Sequence, residues 1–221
     1  MTTRTLLRLA AFAALSLTAS FATAASIPAP TVQSSSKWTA RVRATYLAMA
    51  DKSDAFSALG INFGADAVSV NSKLIPEVDF SYGFTENFRA ELVLTIPQKQ
   101  KVSLAGVGGL GTFKHLPPVL AAQYHFNPRG TVQPYVGLGA NFTLIFDTDL
   151  KVANVPLELE NSSLGVAIQA GCDFALGNGM YLNVDVKNAR LRSDVSVKGG
   201  PRLTTAKLDP WILSVGLGWT F

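Results

Sequence analysis

The chain has 221 residues, 48% of them apolar and 15% charged, with a formal net charge of +4. Soluble domains carry about a quarter charged residues, and a helical membrane protein needs apolar runs of about 20 residues, so both classes fit poorly. One cysteine and two histidines exclude a disulfide framework and leave little from which to build a zinc centre.

Arg4 and Arg8 precede an apolar stretch from Leu9 to Leu17, and Ala22-Thr23-Ala24 supplies small residues for a cut. A basic start, a short apolar core and a small-residue site predict a secretory signal peptide over residues 1–24, cleaved near Ala24/Ala25. The apolar stretch is too short for a membrane anchor. Cleavage removes two arginines and no acid, so the mature charge falls to about +2. The remaining basic residues are scattered, and nucleic acid is not an expected partner. Residues 25–36 are rich in Pro and Ser and read as a flexible periplasmic leader. The domain proper is expected over 37–221.

From Trp38 a period of two begins. Trp38, Ala40, Val42, Ala44, Tyr46 and Ala48 are apolar, whereas Thr39, Arg41, Arg43 and Thr45 are polar. Strict alternation is a strand signal. The same pattern recurs over 68–84, 88–96, 120–126, 132–146, 164–174, 182–187 and 211–221. Eight such segments result, and about 9–11 tilted residues cross a bilayer. Their connections alternate between short (85–87, 127–131, 177–179) and long (50–66, 98–115, 147–161, 188–207). An all-β, eight-stranded antiparallel transmembrane barrel with short periplasmic turns and long extracellular loops is predicted. Both chain ends then lie at the periplasmic rim. A soluble barrel would turn its apolar face inward. Here the polar face is too rich in small residues and too thinly charged to solvate a surface. The apolar face is flanked by Trp38, Tyr82, Phe84, Phe88, Tyr124, Phe126, Trp211, Trp219 and Phe221, as membrane girdles are.

The parity of each strand assigns a lumen face. Arg41, Arg43, Lys73, Glu77, Asp79, Arg89, Glu91, Asp173, Asp185 and Lys187 all point inward, with Val93 as the apolar lumen position of the third strand. Unpaired charges in a narrow barrel are very costly. Two readings follow: an interior salt-bridge network that plugs the barrel, or a polar pore lining that selects permeants.

The long connections are unusually apolar, carrying Phe56, Leu59, Ile61, Phe63, Val102, Leu104, Val107, Leu110, Phe113 and Val155. Exposed apolar patches mark binding or membrane contact. Loops one and two, through Leu59, Phe63 and Leu110, are expected to close into an apolar cup above the mouth. The stretch Gly106–Gly111 matches G-x-G-x-x-G, but Pro117 and Pro118 follow and no helix does. It reads as a mobile extracellular loop, not a dinucleotide site. His115 and His125 have no metal-binding context, and no nucleophile elbow is present. No metal, no cofactor and no enzymatic activity are expected, an envelope-lipid-modifying enzyme being the weakest reading.

Four stretches carry a family resemblance: His115-Leu116-Pro117-Pro118, Gln123-Tyr124-His125-Phe126, Pro134 through Thr143, and Leu208-Asp209-Pro210-Trp211. Through these, and through Gly216–Phe221 at the end, residues 38–221 resemble the outer-membrane protein W (OmpW) family of Gram-negative bacteria. The resemblance implies an eight-stranded barrel of narrow bore, surrounded by outer-membrane lipid and lipopolysaccharide. It implies uptake or efflux of small, mainly hydrophobic solutes, and a terminal Phe221 read by the barrel-assembly machinery. A structural or surface-receptor barrel acting through its loops is the alternative. Two positions depart from the family pattern: Leu164 stands where many relatives carry Trp, and Lys187 faces the lumen where an aromatic helps form an apolar constriction.

Overall fold

The computed structural model describes residues 37–58 and 60–221. The expected signal peptide, the leader and Leu59 lie outside the described residues. Eight wall strands run in chain order: β1 (Trp38–Ala48), β2 (Lys73–Gly83), β3 (Phe88–Thr95), β4 (Val119–His125), β5 (Val132–Val152), β6 (Ser162–Gly177), β7 (Met180–Ala189) and β8 (Trp211–Thr220). Each pairs antiparallel with its neighbours, and β1 closes the ring by pairing with both β2 and β8.

The register fixes the two faces. Val42 lies between Val78 and Leu217, and Arg43 lies between Glu77 and Gly216. Period two sends these neighbouring layers to opposite sides. Leu74, Leu138 and Leu164 are 68%, 62% and 77% exposed on the outside, whereas Arg41, Asp79 and Glu91 are wholly buried within. That distribution is inverted relative to a soluble protein and suits a lipid-facing belt. At the short-turn rim, Trp38 packs tilted against Tyr82, which meets Phe84 edge to face, and Tyr124 meets Phe88 and Phe126 edge to face. The chain ends meet there, the Phe221 N–H donating to the Trp38 carbonyl at 2.9 Å.

At the other rim the strands continue where loops were expected. β5 runs on for 21 residues in all and folds back through Val155–Leu159. The 98–115 connection is a hairpin of Gln98–Leu104 and Gly108–Leu116, and the 188–207 connection is a hairpin of Arg192–Val197 and Arg202–Lys207. The expected loop at Gly106–Gly111 is the tip of the first hairpin and the start of its second strand. Gly106 and Gly108 adopt φ of +78° and +101° there, which side chains disfavour. The first connection adds short pieces, among them Lys52–Ser53 and Val68–Val70.

Val68 and Val70, assigned by continuous parity to the lipid face, are buried inside. The alternation slips by one residue across Asn71-Ser72, and a single slip exchanges the faces of everything beyond it. The same exchange occurs at Pro97, after which Gln98, Gln100, Val102 and Leu104 turn inward. On β5 a bulge between Phe146 and Asp149, with Asp147 at φ 51°, brings Leu150 and Val152 inside. Below the rim the apolar face looks out, and above it the apolar face looks in.

Candidate functional site

The lower interior is filled by charge. Arg43 from β1 reaches Asp79 at 2.6 Å, Glu77 at 2.8 Å and Glu91 at 3.2 Å through Nη2. Arg41 Nη2 donates to Asp173 Oδ2 at 2.8 Å, and its Nη1 to Ser81 Oγ at 2.9 Å. Lys187 Nζ donates to Asp185 Oδ1 at 2.6 Å, and Tyr135 donates to Asp185 Oδ2 at 2.7 Å. Asn183 ties the halves together, accepting from Arg43 at 3.0 Å and donating to Asp173 at 2.7 Å. Gln123 donates to Glu91. Among the described residues Asp79 is held by charge alone: its Oδ2 contacts Arg43 off the N–H direction, and neither oxygen takes a hydrogen bond. Glycine makes this packing feasible. A Cβ at Gly216 would meet the Arg43 backbone at 2.6 Å, and one at Gly171 would meet the Tyr135 ring at 2.4 Å.

Eight of the ten charged residues given inward parity belong to this network. Lys73 sits at the upper rim, donating from Nζ to the Lys99 carbonyl at 3.1 Å. Arg89 is half-buried near the lower turn and forms no ion pair among the described residues. Both point inward by parity, but the network occupies only the middle layers. Tyr135, Gln123, Asn183 and Ser81 were not singled out from the sequence. Each occupies an odd position on a strand whose odd positions are internal, so parity alone marked them.

The upper interior is apolar. A cavity of about 40 Å³ is lined by Phe56, Val102, Leu110, Phe113, Leu150, Leu157, Val195 and Leu208, among others. Ser193 and Thr204 line it too, but their hydroxyls donate to the Glu160 and Asp54 carbonyls. Leu110 belongs to this lining. Phe63 is buried in the same cluster without touching the cavity. All four long connections build the cup, not the first two, because each contributes strands with an apolar inner face. Ile61, Val107 and Val155 lie outside it, exposed at the tips.

Between the two interiors the wall is broken. The β3–β4 ladder ends at Val93↔Val119, and the hairpin ladder begins at Gln98↔His115. Residues 94–97 and 116–118 form no rungs with each other. Pro97, Pro117 and Pro118 stand in this interval and have no N–H to offer. A second cavity of about 30 Å³ reaches this seam from inside, touching Val93, Thr95, His115, Pro117 and Val119, with Glu77 and Lys187 below. On the outside, Leu94 and Ile96 lie exposed beside it.

A model of the OmpW family matches residues 35–221. Outer-membrane protein y4mB of Sinorhizobium fredii is 36% identical over 163 residues, which cover 72% of this chain and 70% of that one. The dibenzothiophene metabolism operon protein PahQ of Pseudomonas aeruginosa is 29% identical over 205 residues, covering 88% and 93%. The crystal structure of the outer membrane protein OprG from Pseudomonas aeruginosa superposes with a TM-score of 0.72 at 26% identity, covering 84% of this chain and 96% of that one. With its apolar face outward, its ring closed and the family model matching all but its first residues, the chain is an outer-membrane β-barrel and belongs to the OmpW family.

Proposed function

We propose that the protein is a passive conduit for small hydrophobic molecules. A solute enters the apolar cup and leaves sideways through the seam into the lipid. The observation that carries this reading is the apolar cavity seated on a charge-filled bore, beside a stretch of wall without rungs. Entering the cup removes apolar surface from water, worth about 25 cal/mol per Å². Continuing down the bore would require separating buried ion pairs, which costs several kcal/mol per ion. Opening the seam breaks no backbone hydrogen bond between its two edges. The bore residues therefore act as a plug, and no catalytic step is assigned to them. PahQ is named for the metabolism of dibenzothiophene, an apolar polycycle, which supports the same solute class.

Binding of a fluorescent apolar probe to purified, refolded protein tests the reading. Leu110→Ser combined with Val195→Ser, from two different hairpins of the cup, is expected to weaken binding by about tenfold, or about 1.4 kcal/mol. Full binding in a variant with an intact heat-modifiable barrel band contradicts the cup as the entry site. The receptor or structural reading, through the exposed tips at Ile61, Val107 and Val155, then takes its place. Phe221, exposed beside Trp219, is read as the signal to the barrel-assembly machinery. Its deletion should lower outer-membrane levels far more than Thr220→Ala, and unchanged levels would remove that role.

A further inference from the structure

One polar pair between the cup and the seam is left unsatisfied by the barrel itself. Gln100 lies on Gln98–Leu104 and His115 on Gly108–Leu116; they are 0% and 1% exposed. Their Nε2 atoms are 3.2 Å apart. Among the described residues, His115 Nδ1 and Gln100 Oε1 have no hydrogen-bond partner. The Phe113 ring lies 5.9 Å from the His115 ring, and Ile145 is the rung partner of His115 on β5, while Thr95, Asn141, Glu77 and Lys187 line the same seam cavity. His115 also lines the cavity at the seam, with Pro117 and Val119. A buried polar group without a partner is a cost to folding, and native structures rarely keep one without a use.

The proton arrangement defines what would complete the pair. If the Gln100 amide donates to Nε2 of neutral His115, the ring proton sits on Nδ1. An N–H donor and the Oε1 acceptor then remain open. If the amide is turned over, Oε1 accepts from Nε2–H. Nδ1 then remains as an open acceptor and the amide N–H as an open donor. Both arrangements leave at least one donor and one acceptor. A hydroxyl can serve either, and a pure hydrocarbon serves neither.

We propose that Gln100 and His115 select the permeant at the entrance to the seam, favouring small apolar molecules that carry one hydroxyl group, such as phenols and alcohols, over the bare hydrocarbons. The proposal rests on the conduit reading and adds the substrate class to it. A site whose buried polar groups await a hydroxyl discriminates against the analogue that lacks one.

The test compares 1-naphthol with naphthalene as competitors of a fluorescent apolar probe on the refolded full chain, corrected for partition into the detergent. The wild type is expected to prefer 1-naphthol by about tenfold, the effect of one or two net hydrogen bonds. His115→Leu and Gln100→Leu should each remove most of that preference, read as the ratio of the two affinities, and His115→Gln should retain it. No preference in the wild type, or an undiminished preference in both leucine variants, overturns the proposal. Should His115→Leu fail to give the folded band, Gln100→Leu and the wild-type comparison decide. Loss of the conduit reading looks different: neither solute then competes, in any variant.

Discussion

Below the rim, the inside of the sheet holds Arg41, Arg43 and Lys187 against five carboxylates. Above it, the same sheet encloses Val102, Leu110, Leu150 and Val195. Both regions are buried, antiparallel and alternating, but their contents obey different rules. Ion pairs are directional, and each lost partner strands the others in a medium that penalises charge. Apolar contacts are individually weak and non-directional. The charged bore is therefore fixed in one arrangement, whereas the cup can repack around a guest. A barrel of one fold thus joins a rigid plug to an adaptable receptacle, and the seam lies where the two meet.

The largest effect should come from breaking the plug. Arg43→Ala leaves Glu77, Asp79 and Glu91 without their shared cation, and should cost about 3–5 kcal/mol in urea refolding titrations. Replacing Arg43, Glu77 and Asp79 together by apolar residues of similar size should cost less than Arg43→Ala alone. If the triple replacement costs more, the bore is not organised around compensation of charge. Next comes the outer face. Leu138→Arg, at a lipid-facing position on β5, should cost about 2–4 kcal/mol if it lies near the bilayer midplane, falling towards the interfaces. Leu138→Ser should cost clearly less in the same titration, and equal penalties would argue against lipid contact there.

The seam offers a kinetic test. Pro117→Val with Pro118→Val supplies two N–H donors to the unpaired interval. Whole-cell uptake of naphthalene should slow by several-fold while binding of the apolar probe persists, which separates entry from exit. Unchanged uptake would place the exit elsewhere. The smallest effect concerns the outer strands of the cup, clipped together where Asp54 accepts from Lys207. That hydrogen bond, aided by the Lys207 charge, holds the Asp54 carboxyl below the usual carboxylate range. A depressed carboxyl adds stability above its unfolded pKa of about 3.9 and loses it as pH falls through the folded value. The clip should therefore matter near neutral pH and vanish in acid. An NMR titration of Asp54 should move up toward the ordinary value in Lys207→Met. No movement would mean that the clip does not persist in solution.

The eight wall strands and their inward charges were legible because period two survives wherever one face meets lipid and the other meets the bore. Arg41, Arg43, Glu77 and Asp185 could be placed from parity alone. Parity carried no information about height along the barrel, so Lys73 and Arg89 counted equally with residues of the network. The cup was harder to read. Val68 and Val70 look like lipid-facing residues until the slip at Asn71-Ser72 is known, and Leu150 until the bulge beyond Phe146 is. A slip leaves the alternation intact on both sides and reverses only its sense. The hairpin over 98–116 was hidden for another reason. Its apolar and polar residues are broken up by Gly106, Gly108, Gly109 and Gly111, which read as loop chemistry although Gly106 and Gly108 build a turn and Gly111 lets β5 approach.

The most direct measurement is photolabelling of refolded protein in lipid with a small apolar diazirine, followed by residue-level mapping of the adducts. Lipid-facing residues such as Leu138 take up label in any case and serve as the internal standard. Adducts are expected on Val102, Leu110 and Val195 and should disappear when excess naphthalene is added. None is expected on Tyr135, Gln123 or Asn183 inside the bore. Adducts on those three bore residues that are likewise displaced by naphthalene would show that the solute passes through the charged interior, and would contradict lateral exit from the cup.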